Sequence, residues 1–418
     1  MSSSELVRLR KYTDRVTNLQ VYEGLNVETF KTLIGSHQSR DWIAMWPRLK
    51  ILWWIAPESL LGFLRHFLTL GLRNLKINFE GAEDEVFQEV LCLVESRCMN
   101  LEELRLFDSE TRENKEIQDT IRQIIYNNSL SLKLFWPPHG PSSPLVNDVL
   151  QLRSLEDLQM QVPAVPDHAL ANILPDLQSL SLTLDEPLDV IDLFHKFKAT
   201  KLKEFSLVGP YPTSPDDQNA LSKFFGEAEL HQNLKALSWV PYPGEPGPSW
   251  GFITTLYRFN NLNALALGDG CGRVCRFRFP HVQVVQISMW LPRLTALTLG
   301  GSPCASGGLS TDIGYDTLVT LARNCPNLYL LVIHFNAKTC KPIFSPIFSV
   351  IPNLKVGLWD VGQTTLPDHP WDLTMVALAI AMLFPNVKFI RTTGKWEVIR
   401  EEHFMFTLPP DHKLLDLG

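Results

Sequence analysis

What this sequence lacks narrows its chemistry first. No run of like charges is long enough to act as a basic tail or patch, and 38 Lys and Arg against 45 Asp and Glu leave a net charge of −7. Nucleic acid and anionic membrane surfaces are therefore poor partners, because both are held through clustered cations. The opening stretch, Met1 to Lys11, has no apolar core of the kind a secretory leader needs. The longest uncharged apolar run, Met375 to Phe384, is about half the length of a membrane-spanning helix and reads as one buried helix. Cysteine is scarce: the seven residues at 92, 98, 271, 275, 304, 325 and 340 are odd in number and thinly spread. That usage fits seven free thiols in a cytosolic or nuclear protein and not a disulfide framework.

Catalytic and cofactor motifs are missing too. There is no Gly-x-Ser-x-Gly elbow, no phosphate-binding Gly-Lys-Ser or Gly-Lys-Thr and no His-Glu-x-x-His. Cys271 and Cys275 with His281 suggest a metal site only loosely, since zinc wants four ligands and no second pair stands at finger spacing. Gly268-Asp269-Gly270-Cys271-Gly272 starts like a dinucleotide-binding turn, but Arg273 stands where the third glycine belongs. His369 and Asp372 beside Trp371 are the nearest approach to an acid–base group, and a solvated proline-rich loop explains them better. The sequence predicts no enzyme, no cofactor and no metal.

What is present is a repeat. With 45% hydrophobic and 20% charged residues the chain folds, and at 418 residues it must divide into domains or grow by stacking. Leu-x-x-Leu-x-Leu, with other apolar residues allowed, begins at Leu49, Leu72, Leu101, Leu155, Leu177, Leu202, Leu234, Leu262, Leu294 and Leu328. Weaker copies begin at Val16, Leu130, Leu354 and Val387, for about fourteen units. The step varies from 22 residues (Leu155 to Leu177) to 34 (Leu294 to Leu328), so the loops vary while the phrase does not. Its fourth and sixth positions share one side of a strand. Between phrases the spacing turns helical, as in Phe87, Val90, Leu91 and Val94, and in Leu373, Val376, Ala377, Ile380, Ala381 and Phe384. Many phrases follow a proline, as in Pro47-Arg48-Leu49 and Pro326-Asn327-Leu328, which stops the preceding helix. Val282 to Ile287 looks strand-like but lies too close to Leu294 to be its own unit.

Strand then helix, repeated, predicts an α/β leucine-rich-repeat solenoid over 16–400, a horseshoe with parallel strands on the concave face and helices on the convex one. Residues 1–15 form an amino-terminal flank and 401–418 a carboxy-terminal cap or tail.

Two units have a more specific flavour: Ser96-Arg97-Cys98-Met99-Asn100-Leu101-Glu102-Glu103-Leu104-Arg105-Leu106 and Arg323-Asn324-Cys325-Pro326-Asn327-Leu328-Tyr329-Leu330-Leu331. They resemble the cysteine-containing leucine-rich repeats of F-box proteins, particularly the divergent F-box-like families of mushroom-forming fungi. The resemblance implies a substrate-recognition module of an SCF ubiquitin ligase, in which repeats capture a target and an F-box docks on the Skp1 adaptor. No F-box is visible ahead of the first phrase, and Asn336 is the one clear match to the asparagine expected after the last strand leucine. A free-standing binding or inhibitory repeat protein is the alternative.

In such a fold the residues between the buried leucines line the concave face. Early units offer Trp53, Asn74, Lys76, Glu103, Arg105, Asp157 and Gln159, a mixed polar strip. Later ones offer Ala236, Ser238, Ala264, Ala266, Ala296 and Thr298, a smooth strip that lets a partner approach closely. Insertions after the strands carry Tyr211, Tyr242, Trp250 and Trp371, the aromatic types that anchor protein interfaces. The expected partner is a protein.

Overall fold

The computed structural model describes residues 12–22, 46–108, 114–138, 148–162, 172–184, 197–198, 201–211, 214–227, 233–242, 250–268, 279–300, 313–339, 352–362 and 369–392, together with 28, 145, 186 and 191. The chain forms two compact units, one of residues 1–185 and 189–202, the other of 186–188 and 203–418. Each is an α/β solenoid of repeats.

The first unit holds β1 (Asn18–Tyr22), β2 (Ile51–Ile55), β3 (Asn74–Asn78), β4 (Glu103–Phe107), β5 (Leu134–Trp136), β6 (Asp157–Val162) and β8 (Ser179–Leu184) side by side in that order. A separate pair joins β7 (Asn172–Ile173) to β9 (Phe197–Lys198). The main strands are all parallel and pair with their sequence neighbours, as short crossovers demand. A 3₁₀ helix (Glu58–His66), α1 (Asp84–Arg97) and α2 (Lys115–Asn127) fill successive crossovers and pack on one another in turn.

The second unit repeats the plan. Its strands are β10 (Glu204–Val208), β11 (Ala236–Val240), β12 (Ala264–Leu267), β13 (Ala296–Leu299), β14 (Leu330–Ile333), β15 (Leu358–Gly362) and β16 (Phe389–Thr392), again all parallel. Its helices are α3 (Pro215–Glu227), α4 (Trp250–Thr255), α5 (His281–Trp290), α6 (Tyr315–Asn324) and α7 (Pro370–Leu383). Among the described residues no helix is long and apolar enough to cross a membrane.

The phrase explains the core. Its fourth positions stand in register across the first unit as Leu19, Leu52, Leu75, Leu104, Phe135, Leu158 and Leu180. From Leu52 onward all of these are buried, as are the sixth-position residues Trp54, Ile77, Leu106, Met160 and Leu182. Each buried leucine contributes about 1.5–3 kcal/mol, and the rows run on from strand to strand, so stacking supplies what one repeat cannot. Crossover residues close over them, with Phe67 just after the 3₁₀ helix against Trp54, and Phe87 of α1 packing on Phe79 just after β3.

In most repeats the first leucine starts the strand through a tight turn. The N–H of Leu49, Leu177, Leu294, Leu328 and Val387 donates to the carbonyl three residues back, at 2.9–3.4 Å for the whole set that includes Leu262. Pro47, Pro175, Pro292, Pro326 and Pro385 occupy the second residue of those turns, where the fixed φ of proline is pre-set. The proline before each phrase thus does more than end a helix. After the strand, Gly268 and Gly300 take φ of +85° and +84°, which needs glycine.

Three expectations are corrected. The weak copies at Leu130 and Leu354 begin two residues too early: these leucines are 95% and 59% exposed, while Leu132 and Val356 take the buried first position. Val282 to Ile287 is not strand but part of α5, which follows Pro280 and buries Val284, Ile287 and Ser288 at helical spacing. The third, Tyr211, belongs with the site below.

Candidate protein-recognition face

On the sheet side opposite the leucine rows, alternate residues of the first unit are part-exposed. Register sets Trp53 beside Lys76 and Arg105 beside both Lys76 and Trp136, while Asn74 stands beside Glu103. The side chains interlock accordingly. Lys76 Nζ sits 3.9 Å from the Trp53 ring centre, and the Arg105 guanidinium lies 3.9 Å over Trp136. Each such contact contributes about 0.5–2 kcal/mol, more as water is excluded.

Glu103 is the hub between the two cations. Its carboxylate accepts a 2.6 Å hydrogen bond from Asn74 Nδ2 and lies 3.6 Å from Lys76 Nζ. Arg105 Nε approaches Glu103 Oε1 to 2.6 Å, but its N–H is not aligned on that oxygen, so the attraction is between charges. Trp136 continues the row, donating from Nε1 to Asp157 Oδ1 at 3.3 Å and meeting Phe107 edge-on. The strands hold these groups at fixed spacing, with their rotamers already locked by one another.

The hub yields a test. Glu103→Ala strands Lys76 and Arg105, which are 16% and 19% exposed, without their counter-charge. The variant is expected to lose about 2 kcal/mol, between the values for exposed and fully buried pairs. In this unit that lowers the melting temperature by roughly 4–8 °C. Thermal unfolding followed by circular dichroism measures it, and an unchanged midpoint would mean that the hub does not exist in solution.

The structure therefore gathers Trp53, Asn74, Lys76, Glu103, Arg105 and Asp157 into one network. Gln159 joins its edge, lining a depression with Trp136. Sequence reading missed Trp136 and Phe107. The early register at Leu130 hid Trp136, for once Phe135 is the fourth-position core residue its neighbours must face the other way. Phe107 follows the sixth position of β4, where an extra strand residue carries it outward.

In the second unit Ala236, Ala264 and Ala296 stand in one register row and Ser238, Ala266 and Thr298 in the next. All are part-exposed except Thr298, which is buried. The loop aromatics divide. Tyr211 is 1% exposed, stacked on Trp239 at 4.6 Å with its hydroxyl donating to the Trp239 carbonyl. It is core, not a partner contact: the chain after β10 turns inward and caps the repeat. Tyr242 is half-buried. Trp250 and Trp371 stand in the first turns of α4 and α7, and their side chains lie outside the described residues.

The thiols behave as structural groups. Burial pushes both Cys98 and Cys325 up to about 12, with Arg97 pulling weakly the other way at Cys98. Cys325 Sγ points at the carbonyls of Ser288 and Leu291. Cys92, Cys98 and Cys325 are free; the other four cysteines lie outside the described residues. At pH 8 iodoacetamide is expected to alkylate exposed Cys92 and to spare Cys98 and Cys325 until the protein is denatured, because the thiolate attacks. Peptide mass mapping reads this directly, and native labelling of Cys98 as fast as Cys92 would contradict its placement.

His281, at the start of α5, bonds through Nδ1 to Thr317 Oγ1 at 2.6 Å. Cys271 and Cys275 lie outside the described residues, among which no group of His, Cys, Asp and Glu could hold a metal ion. Comparison with models of known families gives no match, and no curated protein matches the chain.

Proposed function

We propose that this chain is a protein-recognition scaffold that engages its target across the open face of the first unit. The interlocked row from Trp53 through Lys76, Glu103 and Arg105 to Trp136 carries the reading. Tryptophan and arginine dominate binding energy at protein interfaces, and side chains held in place beforehand lose little entropy on binding.

The finer reading is substrate capture for an SCF ubiquitin ligase. It is supported by the two Cys-x-Asn-Leu units and their resemblance to F-box repeat proteins. Size-exclusion chromatography of the full chain with recombinant Skp1 tests it. Co-elution at one to one would establish an adaptor surface. Separate elution would leave a binding or inhibitory repeat protein without that link, and target capture would then be sought on the open face alone.

A further inference from the structure

The turns that lead into the strands of the first unit differ at one position. Ile51, Asn74, Glu103, Leu134 and Asp157 stand in register, and the residue four places before each is Pro47, Leu70, Met99, Leu130 and Arg153 in turn. Register therefore lines these five residues up along the edge where the chain enters the sheet. Neighbouring turns are stitched together there, Arg73 donating to the Asn100 carbonyl at 3.2 Å and Ser131 to the Leu101 carbonyl at 2.8 Å. A proline at this position pre-sets the turn. The three consecutive large apolar residues serve neither turn nor core: Leu70, Met99 and Leu130 are 68%, 41% and 95% exposed. Tyr126, in the last turn of α2 and four residues before Leu130, is exposed too.

Basic groups bracket the row. The 3₁₀ helix and α1 end shortly before it, in Arg65, His66 and Arg97. Arg97 Nη1 donates to the Arg65 carbonyl at 2.7 Å, and Arg65 Nε reaches toward His66 Nε2 at 3.4 Å, so the three converge. Burial first, and then the charges of Arg65 and Arg97, hold His66 below its ordinary pKa, in keeping with that approach. Arg153 stands exposed at the other end of the row. Glu95 is the one carboxylate in the last turns of the 3₁₀ helix, α1 and α2. Cations at helix ends suit the carbonyls there, but that gives no return for keeping leucine, methionine and tyrosine in water.

We propose that this edge docks an amphipathic helix of a partner protein, whose apolar side covers Leu70, Met99 and Leu130 and whose flanking carboxylates meet Arg65, Arg97 and Arg153. Leu70 and Leu130 are two strand spacings apart, about 10 Å. A helix sets its residues i and i+7 about 10 Å apart, so apolar residues at i, i+3 or i+4 and i+7 match the row. Carboxylates beside that stripe pair with guanidinium groups through two parallel hydrogen bonds. The surface is the entry edge of the sheet and not its open face, so it is a second site, independent of recognition through Trp53 and Trp136.

Selection of a library of helical peptides on the full-length protein tests it, with the apolar pattern and the flanking charges randomised and recovered peptides assayed by fluorescence anisotropy. The variants are L130S, R65Q and, on the open face, W53A, each checked for fold by circular dichroism. Enriched peptides are expected to carry apolar residues at i, i+3 or i+4 and i+7 with aspartate or glutamate beside them. L130S should weaken them about tenfold and R65Q about threefold, while W53A leaves them unchanged. Peptides sensitive to W53A alone would overturn the docking edge while leaving recognition by the open face standing. Peptides bound equally by all variants, or rich in lysine and arginine, would overturn it as well, as would a library from which nothing is enriched.

Discussion

Leu180→Asp is expected to abolish folding of the first unit, whereas Ser181→Asp, one residue along the same strand, is expected to be tolerated. Leu180 is 1% exposed and stands in register with Leu158, inside the continuous apolar row. Aspartate there loses the leucine's burial, about 1.5–3 kcal/mol, and places a carboxyl where no partner can reach it, which costs several kcal/mol whether the group stays ionised or takes up a proton. Together these exceed about 5 kcal/mol, a large part of the 5–15 kcal/mol that holds a domain together. Ser181 is part-exposed on the opposite side, beside Gln159, and a charge there remains solvated. Leu180→Met, which conserves volume, should cost less than about 1.5 kcal/mol. Circular dichroism and urea unfolding of the three variants decide the matter. A normal midpoint for Leu180→Asp, or a collapse with Ser181→Asp, would reverse the assignment of sheet sides.

That contrast is legible in the sequence alone, because a strand's period of two converts a phrase of leucines directly into sides. Where the phrase is strong, as at Leu101-Leu104-Leu106 or Leu234-Leu237-Trp239, all three residues are buried. Reading failed where local composition offered a decoy. Leu130 and Leu354 look like first leucines, but each lies in a turn, two residues before the apolar residue that enters the core. Val282, Val284 and Val285 carry strand propensity, yet Pro280 and the need for a crossover between β12 and β13 make that stretch a helix; tertiary topology overrides propensity. Of the face, the strip from Trp53 to Arg105 followed from alternation alone. Its pairing did not: that Glu103 would serve Lys76 and Asn74 together depends on residues 27 and 29 positions away in sequence being brought beside it. Tyr211 was misplaced because composition marks a loop and cannot show which way the loop turns.

The asparagines that join repeats were also invisible, and they give the second large effect. In most repeats the first leucine's N–H closes its own turn, as Leu328 does on the Cys325 carbonyl at 3.1 Å. The Cys98 turn is different. The buried carboxamide of Asn128, from the next repeat, accepts the Leu101 N–H at 2.7 Å and donates to the Cys98 carbonyl at 3.0 Å, standing between two groups that elsewhere bond each other. Asn128→Ala therefore leaves a fully buried donor and a fully buried acceptor unmatched, at about 1–3 kcal/mol each. Its third bond, to the Ile124 carbonyl, matters less, because the Asn128 backbone N–H already donates there. A loss of about 3 kcal/mol is expected, on the order of 10 °C in melting temperature.

Asn353 supplies the comparison. It too is buried and donates to a cysteine carbonyl, Cys325, at 2.8 Å, but that carbonyl keeps the Leu328 N–H when the asparagine is removed. Its other side-chain partner is the N–H of Lys355, an exposed residue that water can serve. Asn353→Ala should thus cost about 1 kcal/mol, the net value of an ordinary hydrogen bond. Denaturant unfolding of the two variants separates the accounts: a deficit at Asn128 about three times that at Asn353 follows if unsatisfied buried groups set the cost, whereas equal losses would mean that the Cys98 turn closes on itself once the carboxamide is gone.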